Sequence, residues 1–118
     1  MIIKINAYTK ANGRSTVWDE VKKLSTQERA KVLGCLKCIE EMGLDCNRVS
    51  FRQLRGKLWE IKIKTNNNAY RIAYVMVKSK SITLLHFFTK KTQKTPLKEL
   101  GLAEKRMKEV LKCPVPIN

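Results

Sequence analysis

The chain has 118 residues, 43% of them hydrophobic, with 25 Lys and Arg against 10 Asp and Glu for a formal charge of +15. That length suits one domain with a real core, and the apolar content excludes a disordered polyelectrolyte. No apolar run reaches the roughly 18–20 residues that cross a bilayer and the N-terminus lacks a signal-peptide core, so a single cytoplasmic domain over residues 1–118, without a membrane partner, is expected.

Residues 2–8 alternate and are rich in β-branched side chains, which predicts a first strand. Asn12-Gly13 reads as a turn. Ser15 or Thr16 then caps a short helix to about Leu24, with Val17, Trp18, Val21 and Leu24 at helical spacing. Ser25-x-x-Glu28 reads as a capping box that opens a longer helix to about Met42, closed by Gly43. With almost no loop between them, the two predict a helical hairpin. Cys35 and Cys38 in the second helix form a CxxC, a spacing used by zinc and redox sites. Val32, Cys35, Leu36 and Ile39 make one apolar stripe there, Cys46 and Cys113 stand alone, and His86 is the one histidine. Buried free thiols are therefore the favoured reading, and no metal is expected.

After a loop at 45–49 the period changes to two. In 58–64, Trp59, Ile61 and Ile63 alternate with Glu60, Lys62 and Lys64. Asn66-Asn67-Asn68 is a turn, and 70–77 and 82–88 are apolar strands separated by the polar residues 78–81. Three strands joined by short turns imply an antiparallel meander. Thr95-Pro96 opens a last helix with the stripe Leu100, Ala103, Met107, Val110 and Leu111, ended by Pro114 and Pro116. The expected fold is α+β in the order β-α-α-β-β-β-α, mostly antiparallel, with the helices on one face and the other face open.

Between Ser50 and Lys98 stand twelve Lys and Arg and one acid, Glu60, so this window holds +11 of the +15. Such a surface repels itself and suits a polyanion. Alternation turns Trp59, Ile61 and Ile63 to the core and Glu60, Lys62 and Lys64 the opposite way. Glu60 is then either a base among cations or a cross-strand ion-pair partner of Arg71 or Lys62, and periodicity by itself favours the ion pair. Arg71, in an apolar strand, needs Glu60 or a ligand phosphate. His86 titrates near neutrality, but parity does not give its face. The run Thr89-Lys90-Lys91-Thr92-Gln93-Lys94-Thr95 reads as a phosphate-gripping loop or a solvated connection. There is no Gly-rich phosphate loop, no GxSxG and no acid cluster for Mg²⁺, so no cofactor is expected and phosphoryl chemistry would rest on Arg, Lys, Glu and His.

Several segments carry a family likeness in order: Asn12-Gly13-Arg14-Ser15, Leu54-Arg55-Gly56-Lys57-Leu58-Trp59-Glu60-Ile61-Lys62 and Tyr70-Arg71-Ile72-Ala73-Tyr74. The run from Leu84-Leu85-His86-Phe87-Phe88 to Pro96 and then Ala103-Glu104-Lys105-Arg106-Met107 complete it. On these the chain resembles the RelE/ParE superfamily of toxins, in its HigB-like (phage-derived Gp49-like) branch. The resemblance implies a type II toxin encoded beside a helix-turn-helix (HigA/XRE-like) antitoxin, cutting mRNA on the ribosome and so inhibiting translation. Carried over, Arg71 binds and polarises the scissile phosphate, Lys62 assists as a charge or proton-transfer group, and Lys90 and Lys91 grip the backbone or stabilise the leaving oxygen. Glu60 stands where RelE has a lysine, and Thr95-Pro96-Leu97 offers no match to the RelE C-terminal tyrosine, so Glu60 and His86 are the expected substitutes. The expected catalytic set is Arg71, Lys62, Glu60, His86 and Lys91, and the RNA-binding set is Arg52, Arg55, Lys57, Lys64, Lys90, Thr92 and Lys94. A ParE-like gyrase-poisoning toxin and an inactive nucleic-acid-binding module are the alternatives.

Overall fold

The computed structural model describes residues 3–90 and 94–112. In chain order these form β1 (Lys4–Ala7), α1 (Thr16–Lys22), α2 (Thr26–Met42), a single 3₁₀ turn (Gly43–Asp45), β2 (Ser50–Arg55), β3 (Leu58–Lys64), β4 (Ala69–Lys78), β5 (Ser81–Thr89) and α3 (Leu97–Lys112). The five strands make one sheet in the order β1-β5-β4-β3-β2. β1 runs parallel to β5 and the other neighbours are antiparallel, giving the mostly antiparallel α+β sheet that was expected. The meander has one strand more than the sequence shows. β2 hides because its apolar residues, Phe51 and Leu54, are three apart. Three apart on a strand, Phe51 packs on one face of the sheet and Leu54 on the other, and a register shift between Gln53 and Arg55 brings Arg55 opposite Leu58.

Local chemistry sets the helix ends. Ser15 Oγ accepts from the Trp18 N–H at 3.3 Å, and Ser25 Oγ from the Glu28 N–H at 3.3 Å. Glu28 does not complete a capping box. Its Oε1 accepts from Thr65 Oγ1 (2.7 Å), Asn68 Nδ2 (3.0 Å) and Tyr70 OH (2.8 Å), tying the first turn of α2 to the β3–β4 turn. These donors, Asn68 first, hold the Glu28 carboxyl below its ordinary range. Gly43 closes α2 at φ +63°, a conformation that L side chains rarely adopt.

The helices divide between the two faces of the sheet, against the one-sided arrangement expected. Val17 and Val21 of α1 and Val32, Cys35, Leu36 and Ile39 of α2 pack on Ile61, Ile63, Ile72 and Tyr74. Ala103 of α3 packs on Leu58, Ala73, Val75 and Leu85 from the other side, flanked by Leu100, Met107 and Val110. The cause lies in β4, buried without interruption from Tyr70 to Val75. A strand that is apolar on both sides needs cover on both. Leu111, read as part of the α3 stripe, is exposed. Cys35 and Cys46 are buried free thiols and Cys38 is half-buried, with Cys38 Sγ 2.6 Å from Cys46 Sγ. Burial pushes the Cys35 thiol up. Cys113, Pro114 and Pro116 lie outside the described residues. Among the described residues no helix is long and apolar enough to cross a membrane.

Candidate active site at the open end of the second face

Strand register gathers the charged residues where α3 stops covering the sheet. β3 and β4 set Lys62 opposite Arg71, β2 sets Arg52 opposite Glu60, and β5 sets Phe88 opposite Arg71. Glu60 is 0% exposed and Arg71 1%. Glu60 Oε1 lies 3.4 Å from Arg71 Nη1 and 3.4 Å from Arg52 Nε. Thr95 joins them: its Oγ1 accepts from Arg71 Nη1 at 2.8 Å and donates to Glu60 Oε2 at 3.0 Å, with Arg52 Nη2 at 3.4 Å. The ion-pair reading of Glu60 therefore holds. The Arg71 guanidinium lies beneath the surface, with Glu60 and Thr95 among its partners. A buried charge keeps such partners because desolvation without them is costly. Thr95 was named in neither expected site set; the sequence marks it only as the end of the 89–95 run and as a hydroxyl directly before the helix-opening proline.

Above this floor stands Lys62, half-buried. Its pKa is held below the ordinary lysine value, first by burial and then by the like charges of Lys90, Arg71 and Arg52, which outweigh Glu60. Lys90 is anchored by its backbone N–H, which donates to the Ala69 carbonyl at 2.7 Å. Arg52, Glu60, Lys62, Arg71 and Lys90 are thus one cluster, and Lys64 follows Lys62 on the same side of β3, exposed.

His86 is not part of it. Its Nδ1 faces Arg106 Nη1 at 3.3 Å and its Nε2 faces Glu99 at 3.1 Å, while its ring stacks on Phe88. A guanidinium only donates, so Nδ1 accepts and the ring proton sits on Nε2, directed at Glu99. Both nitrogens are engaged. Burial keeps the His86 pKa below its ordinary value despite Glu99. The residue pins α3 to β5, apart from the cluster of Arg52, Lys62 and Lys90. Arg55 is likewise turned to α3, 2.7 Å from Glu104. Lys57 is exposed in the β2–β3 turn and Lys94 is exposed before α3. Lys91 and Thr92 lie outside the described residues. Among the described residues no three His, Cys, Asp or Glu converge as a metal site requires.

Residues 19–108 match the family model described as phage derived protein Gp49-like (DUF891). The chain belongs to the Gp49-like family. That family lies within the RelE/HigB-like group of toxins. The match takes in every residue of the Gp49-like chain's cluster from Arg52 to Thr95. No curated protein matches the chain.

Proposed function

We propose that this Gp49-like chain is the toxin of a type II toxin–antitoxin pair, of the HigB-like branch, and that it inhibits translation in the cytoplasm by cutting mRNA on the ribosome. The observation that carries the reading is Lys62, a lysine of depressed pKa crowded by Lys90, Arg71 and Arg52 on an open sheet end. Arg52, Lys90 and Lys64 are the cations placed to hold the RNA backbone. The 2′-hydroxyl gives up its proton to solvent water as it attacks its own phosphate in line, forming a 2′,3′-cyclic phosphate and breaking the bond to the 5′ oxygen of the next nucleotide. Arg52 and Lys90 stabilise the charge that develops on the phosphate oxygens. Protonated Lys62 gives its proton to the departing 5′ oxygen, which a depressed pKa makes easier near neutrality. Arg71 acts one layer down: with Glu60 and Thr95 it fixes the floor against which Lys62 and Arg52 stand. DNA, lacking the 2′-hydroxyl, is not cut by this route. The partner that restrains such a toxin is an antitoxin encoded beside it, of the helix-turn-helix HigA/XRE-like kind.

Expression of the chain in a translating extract, with mRNA 5′ ends mapped, tests the proposal. New 5′-hydroxyl ends that vanish when ribosomes are omitted are the expected result. Arrested translation with intact mRNA would overturn it.

A further inference from the structure

The thiol spacing that stands out in the sequence, Cys35-x-x-Cys38, is not the pair that the fold brings into contact. Cys38 lies near the end of α2, and Cys46 directly follows the 3₁₀ turn Gly43–Asp45. Gly43, at φ +63°, turns the chain there, and the Cys46 N–H donates to the Gly43 carbonyl at 3.1 Å. Cys46 thereby comes back beside Cys38, with the two Sγ atoms 2.6 Å apart. Two residues on, Arg48 Nη1 reaches the Gly34 carbonyl at 3.5 Å and holds the connection to β2 against the same helix. Cys38 is half-buried, so solvent reaches one sulfur of the pair, while Cys46 is buried. Cys35 is fully buried among Val32, Leu36 and Ile39. Among the described residues no third ligand joins the two sulfurs to make a metal site, which leaves them thiol chemistry.

We propose that Cys38 and Cys46 form a reversible disulfide by exchange with a small-molecule disulfide of the glutathione kind, and that this bond makes the stability of the chain depend on its redox state. The thiols already touch, so the bond closes by side-chain rotation with little movement of the backbone. Cys38, the sulfur that solvent reaches, gives its proton to water and attacks one sulfur of glutathione disulfide. That S–S bond breaks, and one glutathione leaves as a thiolate and takes up a proton. Cys46 then loses its proton and attacks Cys38 Sγ, the mixed disulfide breaks, and the second glutathione leaves in the same way. Two electrons pass from the protein thiols to glutathione disulfide, and two S–H bonds give way to one S–S bond. The contact with Cys46, and then burial, hold the Cys38 thiol above its ordinary pKa, so the first attack is slow at neutral pH. The second is intramolecular and fast by proximity. In a reducing compartment the pair rests as thiols, and the bond is conditional on an oxidising shift. Once closed, it ties the end of α2 to the approach to β2 and removes freedom chiefly from the unfolded chain. The oxidised chain therefore resists heat more than the reduced one. Both sulfurs pack with the α1 and α2 core, on the side away from α3, so the inference stands apart from the nuclease reading.

The test uses the full chain carrying Cys113→Ser, which removes the cysteine outside the described residues. The folded protein is held with excess glutathione disulfide, its remaining thiols are alkylated in denaturant, and it is digested with trypsin. Cleavage after Lys31, Lys37 and Arg48 puts Cys35 in the peptide 32–37 and both Cys38 and Cys46 in the peptide 38–48. The peptide 38–48 is expected to be lighter by two hydrogen atoms, free of glutathione and unalkylated, with Cys35 alkylated. The melting temperature of the oxidised chain is expected to rise by about 5 °C or more, and dithiothreitol should reverse the rise. Cys38→Ser, at the half-buried position, should show no rise under the same treatment. Glutathione retained on Cys38, a bond joining 32–37 to 38–48, or a disulfide-linked dimer overturns the proposal. So do two free thiols after prolonged oxidation, or an oxidised chain that melts no higher than the reduced one.

Discussion

Glu60 and Arg71 leave water together, and each is made tolerable there in part by the other and by Thr95. Arg71→Ala strands the Glu60 carboxylate, and chemical denaturation is expected to show a loss of about 3–5 kcal/mol. Replacing both by Leu should cost less than the two single changes summed; strict additivity would mean that the pair is not coupled. Lys62 has the opposite relation to stability. Its folded-state pKa is depressed, so the folded chain binds that proton more weakly than the unfolded chain. The protonated form is therefore a destabilising charge at neutral pH, and the burden lifts as pH rises through the depressed value toward the ordinary 10.5. Lys62→Gln should accordingly raise the melting temperature at pH 7, and a lower one would contradict the crowding of cations around it. A residue that costs stability where it stands is a reasonable place to look for function.

Element placement decides what the cluster can reach. α3 lies against Ala73 through its own Ala103, 1% exposed, and a larger side chain there has nowhere to go. Ala103→Leu is expected to destabilise by about 1–3 kcal/mol. Because Thr95 enters the cluster immediately before α3, the same change should also slow mRNA cleavage by the folded fraction; an unchanged rate would detach Thr95 from the site. β3 was legible in full because Trp59, Ile61 and Ile63 alternate cleanly with charges. β2 was not, since its two apolar residues, Phe51 and Leu54, lie on opposite faces and leave neither face an alternating run. The α3 stripe showed which side of the helix is apolar but not which face of the sheet receives it, a tertiary choice forced by Ala73 and Val75. The need of Arg71 for a partner was readable from its strand. The hydroxyl that helps meet it is not, because Thr95 is 24 residues from Arg71 and 35 from Glu60 in sequence.

At the scale of the molecule, the +11 of residues 50–98 divides in two. Arg52, Lys62, Lys64 and Lys90 face the open end of the sheet, whereas Arg55 is spent on Glu104 of α3. Ribosome and RNA binding should therefore weaken with salt, and Arg52→Ala with Lys90→Ala should flatten the log–log slope by about 1.5 units, the share of two phosphate contacts. Arg55→Ala should leave that slope nearly unchanged. The central claim is that Lys62 delivers the proton that lets the 5′ oxygen leave. Its most direct test is the rate of mRNA cleavage on purified ribosomes against pH, for the wild type, Lys62→Arg and Lys62→Met, with folding and ribosome binding checked for each. The wild-type rate should fall as pH rises through the depressed lysine pKa, Lys62→Arg should lose that fall because a guanidinium does not titrate there, and Lys62→Met should cut about 10²-fold more slowly or worse. A folded, ribosome-bound Lys62→Met protein that cleaves at the wild-type rate would contradict the account.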